Sequence, residues 1–230
     1  GYRYGGVVID NSGVMEEKGK NRIQILWGNN HGGIEKIDGN WYVFYHRPTN
    51  MTQFSRQGCA EPITILENGK IVQAEMTSQG LNGEPLKGEG TYPASIACIL
   101  HGKEEPEISR TSSKKQPYVT QDAPDITPEE IGRKHTPKTY ITEIDDGTVI
   151  GYKYVRLGKS QKISVKVRGC ADGVLYVKMI GMEDSIKSEE KMCQLEIKSS
   201  EEWMNISADV FCKEQTGILI FTFYGNGTLE

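Results

Sequence analysis

GNNHGGIEKIDGNWYVFYHR, Gly28 to Arg47, is the stretch on which the fold turns. It puts His31 in a turn rich in glycine and asparagine. Within the aromatic run, Trp41, Val43 and Tyr45 alternate with Tyr42, Phe44 and His46, the period-2 signature of a strand with two distinct faces. Asp38-Gly39 supplies the positive φ that a tight hairpin requires. The stretch reads as strand, turn and strand, with His31 at its entrance and Arg47 at its exit.

The same signals recur along the chain. Ile23, Ile25 and Trp27; Ile163, Val165 and Val167; Leu195 and Ile197; and Leu219, Phe221 and Phe223 each alternate with other residues at strand spacing. Asn68-Gly69, Asp146-Gly147, Asp172-Gly173 and Asn226-Gly227 read as further turns. Helical periodicity is scarce; one helical turn is expected near Pro128, with Thr127 as its cap. The fold class is therefore all-β. Residues 82–90 and 101–116 are polar and rich in breakers and read as connections. They suggest a division near residue 105, with 1–105 as one unit and 106–230 as a sandwich of short antiparallel strands.

Composition narrows the function. Hydrophobic residues make up 37% and charged residues 25% of the 230, an ordinary globular balance. The net charge is -4 with no basic stripe, which argues against a nucleic-acid partner. No apolar run approaches the roughly 20 residues of a membrane helix. Five cysteines without a CxxC spacing imply neither a zinc site nor a disulfide framework, so buried thiols are expected. Asn50, Asn205 and Asn226 begin glycosylation sequons, which count only in a eukaryotic secretory protein. Nucleophile-elbow, P-loop, HExxH and EF-hand patterns are all missing.

The candidate site residues lie in the first half. His31, freed by Gly32-Gly33 to approach other groups, either binds a metal or a sugar hydroxyl or satisfies local backbone. Arg47 and Arg56 flank PTNMTQFS, where a guanidinium forks onto a carboxylate or sugar hydroxyls, or is a surface cation. Glu61 is a lone carboxylate; Asp10, Glu35 and Asp38 make no pair with it, and glycoside hydrolysis needs two carboxyls. Trp41, Tyr42, Phe44 and Tyr45 read as packing rather than a sugar platform. Tyr140, Tyr152, Tyr154, Tyr176, Trp203 and Tyr224 are stacking candidates in the second half.

GYRYGGVVIDNSG, WGNNHGGIEKIDGNWYVFYHR and FSRQGCAEPITILENGKI, within about the first 80 residues, resemble the later blades of glycoside hydrolase family 43. YITEIDDGTVIGYKYV, ISVKVRGCADGVLYVK and GILIFTFYGNGTLE resemble the jelly-roll-like β-sandwich of carbohydrate-binding module family 6. The resemblance implies a partial five-bladed β-propeller of about two blades followed by that sandwich. It implies an arabinofuranosidase or β-xylosidase parent, xylan- or arabinan-type oligosaccharides as ligands, and an extracytoplasmic location. It matches His31 to the propeller-axis histidine near a calcium ion or water cluster, and Arg56 to the arginine that enters the sugar subsite. The family inverts configuration with two aspartates and a glutamate from earlier blades, so no catalytic residue is expected in this truncated portion. The sandwich departs from its family at the end, where a further strand is usual, and the aromatic pair and asparagine that hold sugar in the family have no match here. Open blade edges imply tight contact between the halves or a homo-oligomer.

Overall fold

A computed structural model describes residues 1–15, 22–108, 115–122, 138–182 and 189–230. The helical turn expected near Pro128 lies outside the described residues. The first sheet is antiparallel and runs β1 (Gly33–Ile37), β2 (Asn40–Thr49), β3 (Thr52–Pro62). Asp38 and Gly39 reverse the chain between β1 and β2 at φ 47° and 86°. Asn50 and Met51 do the same between β2 and β3, at φ 53° and 52°. Two consecutive left-handed residues match the twist of the strands they join. PTNMTQFS, between Arg47 and Arg56, thus forms a tight hairpin with its ends inside β2 and β3. The topology of the described residues forms no closed set of propeller blades. Ile23–Trp27, read as a strand, makes only isolated bridges, Ile25 to Leu100 and Trp27 to Ile108.

The remaining strands are β4 (Leu86–Lys87), β5 (Ile99–His101), β6 (Tyr118–Gln121), β7 (Thr139–Thr142), β8 (Val149–Leu157), β9 (Ser160–Gly181), β10 (Glu189–Ile197), β11 (Ser200–Phe211) and β12 (Gln215–Leu229). β6 and β7 pair with each other. The rest share one sheet ordered β10-β9-β12-β8-β4, with β11 on β9 and β5 on β8. The 22-residue β9 changes neighbours along its length: β11 pairs with it as far as Gly169 and β10 from Gly173 onward. A strand shared in this way folds one sheet over itself into a β-sandwich.

Two of the expected turns are not turns. Asp172-Gly173 and Asn226-Gly227 lie opposite one another inside β9 and β12, with Gly173 facing Gly225 and Asp172 facing Asn226. A Cβ on Gly173 would sit 2.3 Å from the Tyr224 carbonyl oxygen, and one on Gly227 1.9 Å from that of Cys170. Glycine is required here by the close approach of two backbones, a use that sequence alone does not separate from turn formation.

Strand pairing crosses the division expected near residue 105. β4 and β5 precede it, yet both hydrogen-bond to β8. β4 falls inside the polar segment 82–90 that read as a connection. One buried cluster likewise joins Ile25, Met76, Cys98 and Leu100 to Ile150, Leu195, Ile197 and Phe223. Polar ties reinforce the seam: Cys98 N donates to the Gly151 carbonyl at 3.0 Å, and Lys153 pairs with Glu75 at 3.1 Å. The expected tight contact between the halves is present. Of the five cysteines, all free thiols, Cys98 is buried as expected while Cys170 is exposed. Among the described residues no helix is long and apolar enough to cross a membrane.

A core shared across the seam should unfold as one unit. Denaturation in urea, followed by tryptophan fluorescence and far-ultraviolet circular dichroism, should give coincident midpoints. Phe223→Ala, which empties a fully buried position, should cost about 3–5 kcal/mol in both signals.

Candidate functional site

Alternation along β2 and β3 sorts the candidate residues onto two faces. Tyr45, Arg47, Gln57, Cys59 and Glu61 share one face, since Tyr45 lies opposite Cys59 and Arg47 opposite Gln57. His46 and Arg56 fall on the other.

The first face packs into the seam. Arg47 is 3% exposed and donates to the carbonyls of Ala97 (2.6 Å) and Ser95 (3.2 Å) and to Gln57 Oε1 (2.9 Å). It is a structural tie and not the ligand clamp its sequence position allowed. Glu61 is 2% exposed and accepts from Thr77 N (2.7 Å), Thr77 Oγ1 (2.6 Å) and Tyr45 Oη (3.2 Å). Burial pushes its pKa up, against the pull of these donors and of the Arg47 charge. Burial, followed by the neighbouring Cys59 and Glu61, pushes the Tyr45 hydroxyl far above the usual phenol range. A cleft of about 430 Å³ opens beside these groups, lined also by Leu81 and Ile96. Both oxygens of the carboxylate beside it already accept from protein donors.

The second face brings both sequence-predicted site residues together and adds a third. The exposed His31 ring meets the His46 ring edge-on, with centroids 4.5 Å apart. Arg56, also exposed, lies close enough for its charge to act on His46. Its Nε donates to the Gln53 carbonyl at 3.0 Å. Gly32 sets this arrangement, because a Cβ there would fall 1.7 Å from the Phe44 carbonyl oxygen. The turn can therefore lie flat on β2 only with glycine at that position. Asn11, 4% exposed, holds the turn and strand together by donating to the carbonyls of His46 (3.1 Å) and Asn29 (3.3 Å).

His46 is the residue that sequence reasoning passed over. It is 7% exposed, its Nδ1 faces the His31 carbonyl at 3.2 Å, and its Nε2 is buried without a hydrogen-bond partner. An unsatisfied buried polar atom costs on the order of 1–3 kcal/mol. Burial lowers the pKa of the ring. The Gly32-Gly33 doublet, which brings His31 down onto β2, was the available signal.

Calcium takes about six to eight oxygen ligands. Two imidazoles and a guanidinium supply none, and among the described residues no three His, Cys, Asp or Glu side chains gather to hold a metal. The side chains around His31 do not fit the calcium implied there.

The stacking candidates divide by position. Tyr152 donates to the Ala94 carbonyl and Tyr154 to Glu75, so both serve the seam. Trp203 is covered by the Arg168 guanidinium, 4.6 Å from its ring centroid, and meets Tyr140 edge-on. Tyr224, 52% exposed, meets Tyr176 at 5.6 Å. Both project from the face of β12 and β9 opposite the buried Phe223 and Val177.

This is an all-β chain whose N-terminal sheet, bearing an exposed His–Arg surface, is fused to a β-sandwich. Over 234 residues spanning 99% of the chain, it is 38% identical to a protein named xylosidase/arabinosidase from Thermoclostridium stercorarium, and is therefore its homologue. The chain covers 46% of that protein's length. Its fold is similar to a glycoside hydrolase family 43 arabinoxylan arabinofuranohydrolase from Bacillus subtilis, with TM-score 0.51 and 15% identity over 88% of this chain and 40% of that one. A family 6 carbohydrate-binding module from Clostridium stercorarium, solved with cellobiose, aligns with 64% of this chain and 92% of its own, with TM-score 0.44 and 12% identity. No family model matches the chain.

Glu61 makes stability depend on pH. A carboxyl whose folded pKa lies above its unfolded value stabilises fully at low pH. That contribution is lost as pH rises from the unfolded value, about 4.3, toward the folded one. Glu61→Gln removes this group alone. Urea midpoints of the two proteins against pH should show the wild type losing stability relative to Gln as pH rises through this window.

Proposed function

We propose that the chain is the C-terminal part of a hemicellulose-degrading glycoside hydrolase of the arabinofuranosidase or β-xylosidase kind, with the catalytic carboxylates supplied from outside these residues. The observation that carries this reading is whole-chain homology to a protein named xylosidase/arabinosidase. The local chemistry agrees with it. His31 and Arg56 gather on one exposed face and present an imidazole and a guanidinium, groups that bind sugar hydroxyls but do not cleave glycosidic bonds unaided. Glu61, the buried acid of this sheet, lies on the opposite face, where both of its oxygens accept from Thr77 and Tyr45. Inverting hydrolysis needs an acid and a base about 6.5–9.5 Å apart across the sugar, and β1–β3 offers no such pair.

In this reading the three-stranded sheet is part of a β-propeller, and His31 and Arg56 line the pentose-binding end of its cleft. The ligands are xylan- or arabinan-type oligosaccharides. Polymers of that size place the enzyme outside the cytoplasm. The exposed edge at β1 is covered by further blades or by a second copy.

A second reading, a non-catalytic carbohydrate-binding protein, draws on the exposed Tyr176–Tyr224 pair, whose faces suit a pyranose ring.

The purified chain should not turn over aryl-arabinosides or aryl-xylosides. Turnover abolished by replacing one Asp or Glu within it would overturn the first reading. Calorimetry with arabinoxylan oligosaccharides should show weak binding. Arg56→Ala should remove about 1.5–3 kcal/mol of it, roughly ten- to hundredfold in affinity. If Tyr224→Ala abolishes binding and Arg56→Ala does not, the second reading is the correct one.

A further inference from the structure

An aromatic side chain stands in water at one end of the sandwich. Phe211, the last residue of β11, is 80% exposed. Val210 before it is fully buried, and alternation turns the next side chain outward. The backbone beneath Phe211 is fixed. Phe211 pairs with Ser160 at the start of β9, and Cys212 donates through its backbone N to the Lys159 carbonyl and through its thiol to the Gly158 carbonyl, both at 3.2 Å. The turn after β11 is thus stitched to the turn before β9.

These two turns and the start of β10 border an open cleft of about 620 Å³, lined by Lys159, Glu190, Phe211, Cys212, Lys213 and Glu214. Small-molecule sites occupy roughly 300–1,000 Å³. The charges select the ligand. Two ammonium groups and two carboxylates line the cleft and cancel. An anion would face Glu190 and Glu214, and a cation would face Lys159 and Lys213. A wholly apolar group would strip water from all four and replace none of it. Among the described residues Lys159, Lys213 and Glu214 make no side-chain hydrogen bond or ion pair, and Glu190 accepts from Gln215 alone, at 2.8 Å. Free donors and free acceptors therefore surround an exposed aromatic ring. A neutral saccharide meets each of them: its hydroxyls accept from ammonium groups and donate to carboxylates, and its apolar ring face covers the phenyl.

We propose that this cleft is a second saccharide site, in which a sugar ring of a xylan- or arabinan-type chain stacks on Phe211 while its hydroxyls bond to Lys159, Lys213 and Glu214. The proposal takes its ligand class from the reading of the chain as part of a hemicellulose-degrading enzyme. The cleft shares no residue with the His31–Arg56 face, so the two sites can fail separately.

Titrating the ¹⁵N-labelled protein with arabinoxylan oligosaccharide and following backbone amide shifts tests this. The amides of Lys159 and of Phe211 to Glu214 should move with added saccharide. Phe211→Ala, at an exposed position, should weaken that response about tenfold or more. Phe211→Tyr should retain it, and Arg56→Ala should leave it unchanged. Shifts confined to the surroundings of His31 and Arg56, with Phe211→Ala indifferent, overturn this inference and leave the enzyme reading intact. Shifts at the cleft alone uphold it and remove His31 and Arg56 from sugar binding. A wild-type dimer in sedimentation that Phe211→Ala converts to a monomer assigns the ring to a second copy of the chain and overturns the saccharide site. No shift anywhere overturns both readings.

Discussion

The buried guanidinium of Arg47 fixes which way the N-terminal sheet faces. It spans the seam between β2 and the residues just before β5, donating to two backbone carbonyls there. Strand side chains alternate, so burying Arg47 puts His46 on the opposite face. The pairing of Arg47 with Gln57 puts Arg56 there as well. A one-residue slip of β2 against β3 would turn the arginine out to water and the histidine into the core, exchanging every role at the site. That register would leave the Ala97 and Ser95 carbonyls without their Arg47 donor, and buried polar groups without a partner are costly. The binding face is thus set by an interaction on the far side of the sheet, and Glu61, with its three donors, holds the same side in place.

The parts of the fold legible in the sequence were those determined locally. Asp38-Gly39 behaves as the hairpin signal it is, and the alternating runs of β2, β9, β10 and β12 are all strands. The misreadings arise where distant backbone decides. Gly173, Gly225 and Gly227 carry the composition of turns, but they are needed because β9 and β12 approach too closely for a side chain. NGEPLKGEG has the polarity of a linker, yet Leu86 is buried against Val155 in a parallel pairing with β8. No local pattern announces a strand of two residues whose partner lies 69 positions away.

The site divides in the same way. His31 and Arg56 were identifiable by residue type and by resemblance, and the structure brings them together. Arg47 and Glu61 looked equally functional, since a charged residue in a strand carries no mark of the face it occupies. His46 entered only as one position of an alternating strand. Its burial follows from Gly32 lying against the Phe44 carbonyl, which brings the His31 turn down onto the ring. That is the consequence of an absent Cβ, which a sequence displays only as glycine.

The exposed side of the sheet bears on how such a face works. β1 is exposed along its whole length, and Ile34, Ile37 and Trp41 beside it are each more than a third exposed. Lys36 lies over the Trp41 ring at 5.9 Å, a charge placed where an open edge would otherwise recruit another strand. Further blades packed on β1, as in the proposed propeller, would cover this apolar surface. His31, at the start of that edge, would then lie on the border between what this chain supplies and what its neighbour adds. An imidazole and a guanidinium on one side of a cleft, with carboxylates brought from the other, is an arrangement in which binding and bond cleavage depend on separate segments of polypeptide. The sheet described here can then be complete in its packing and incomplete in its chemistry.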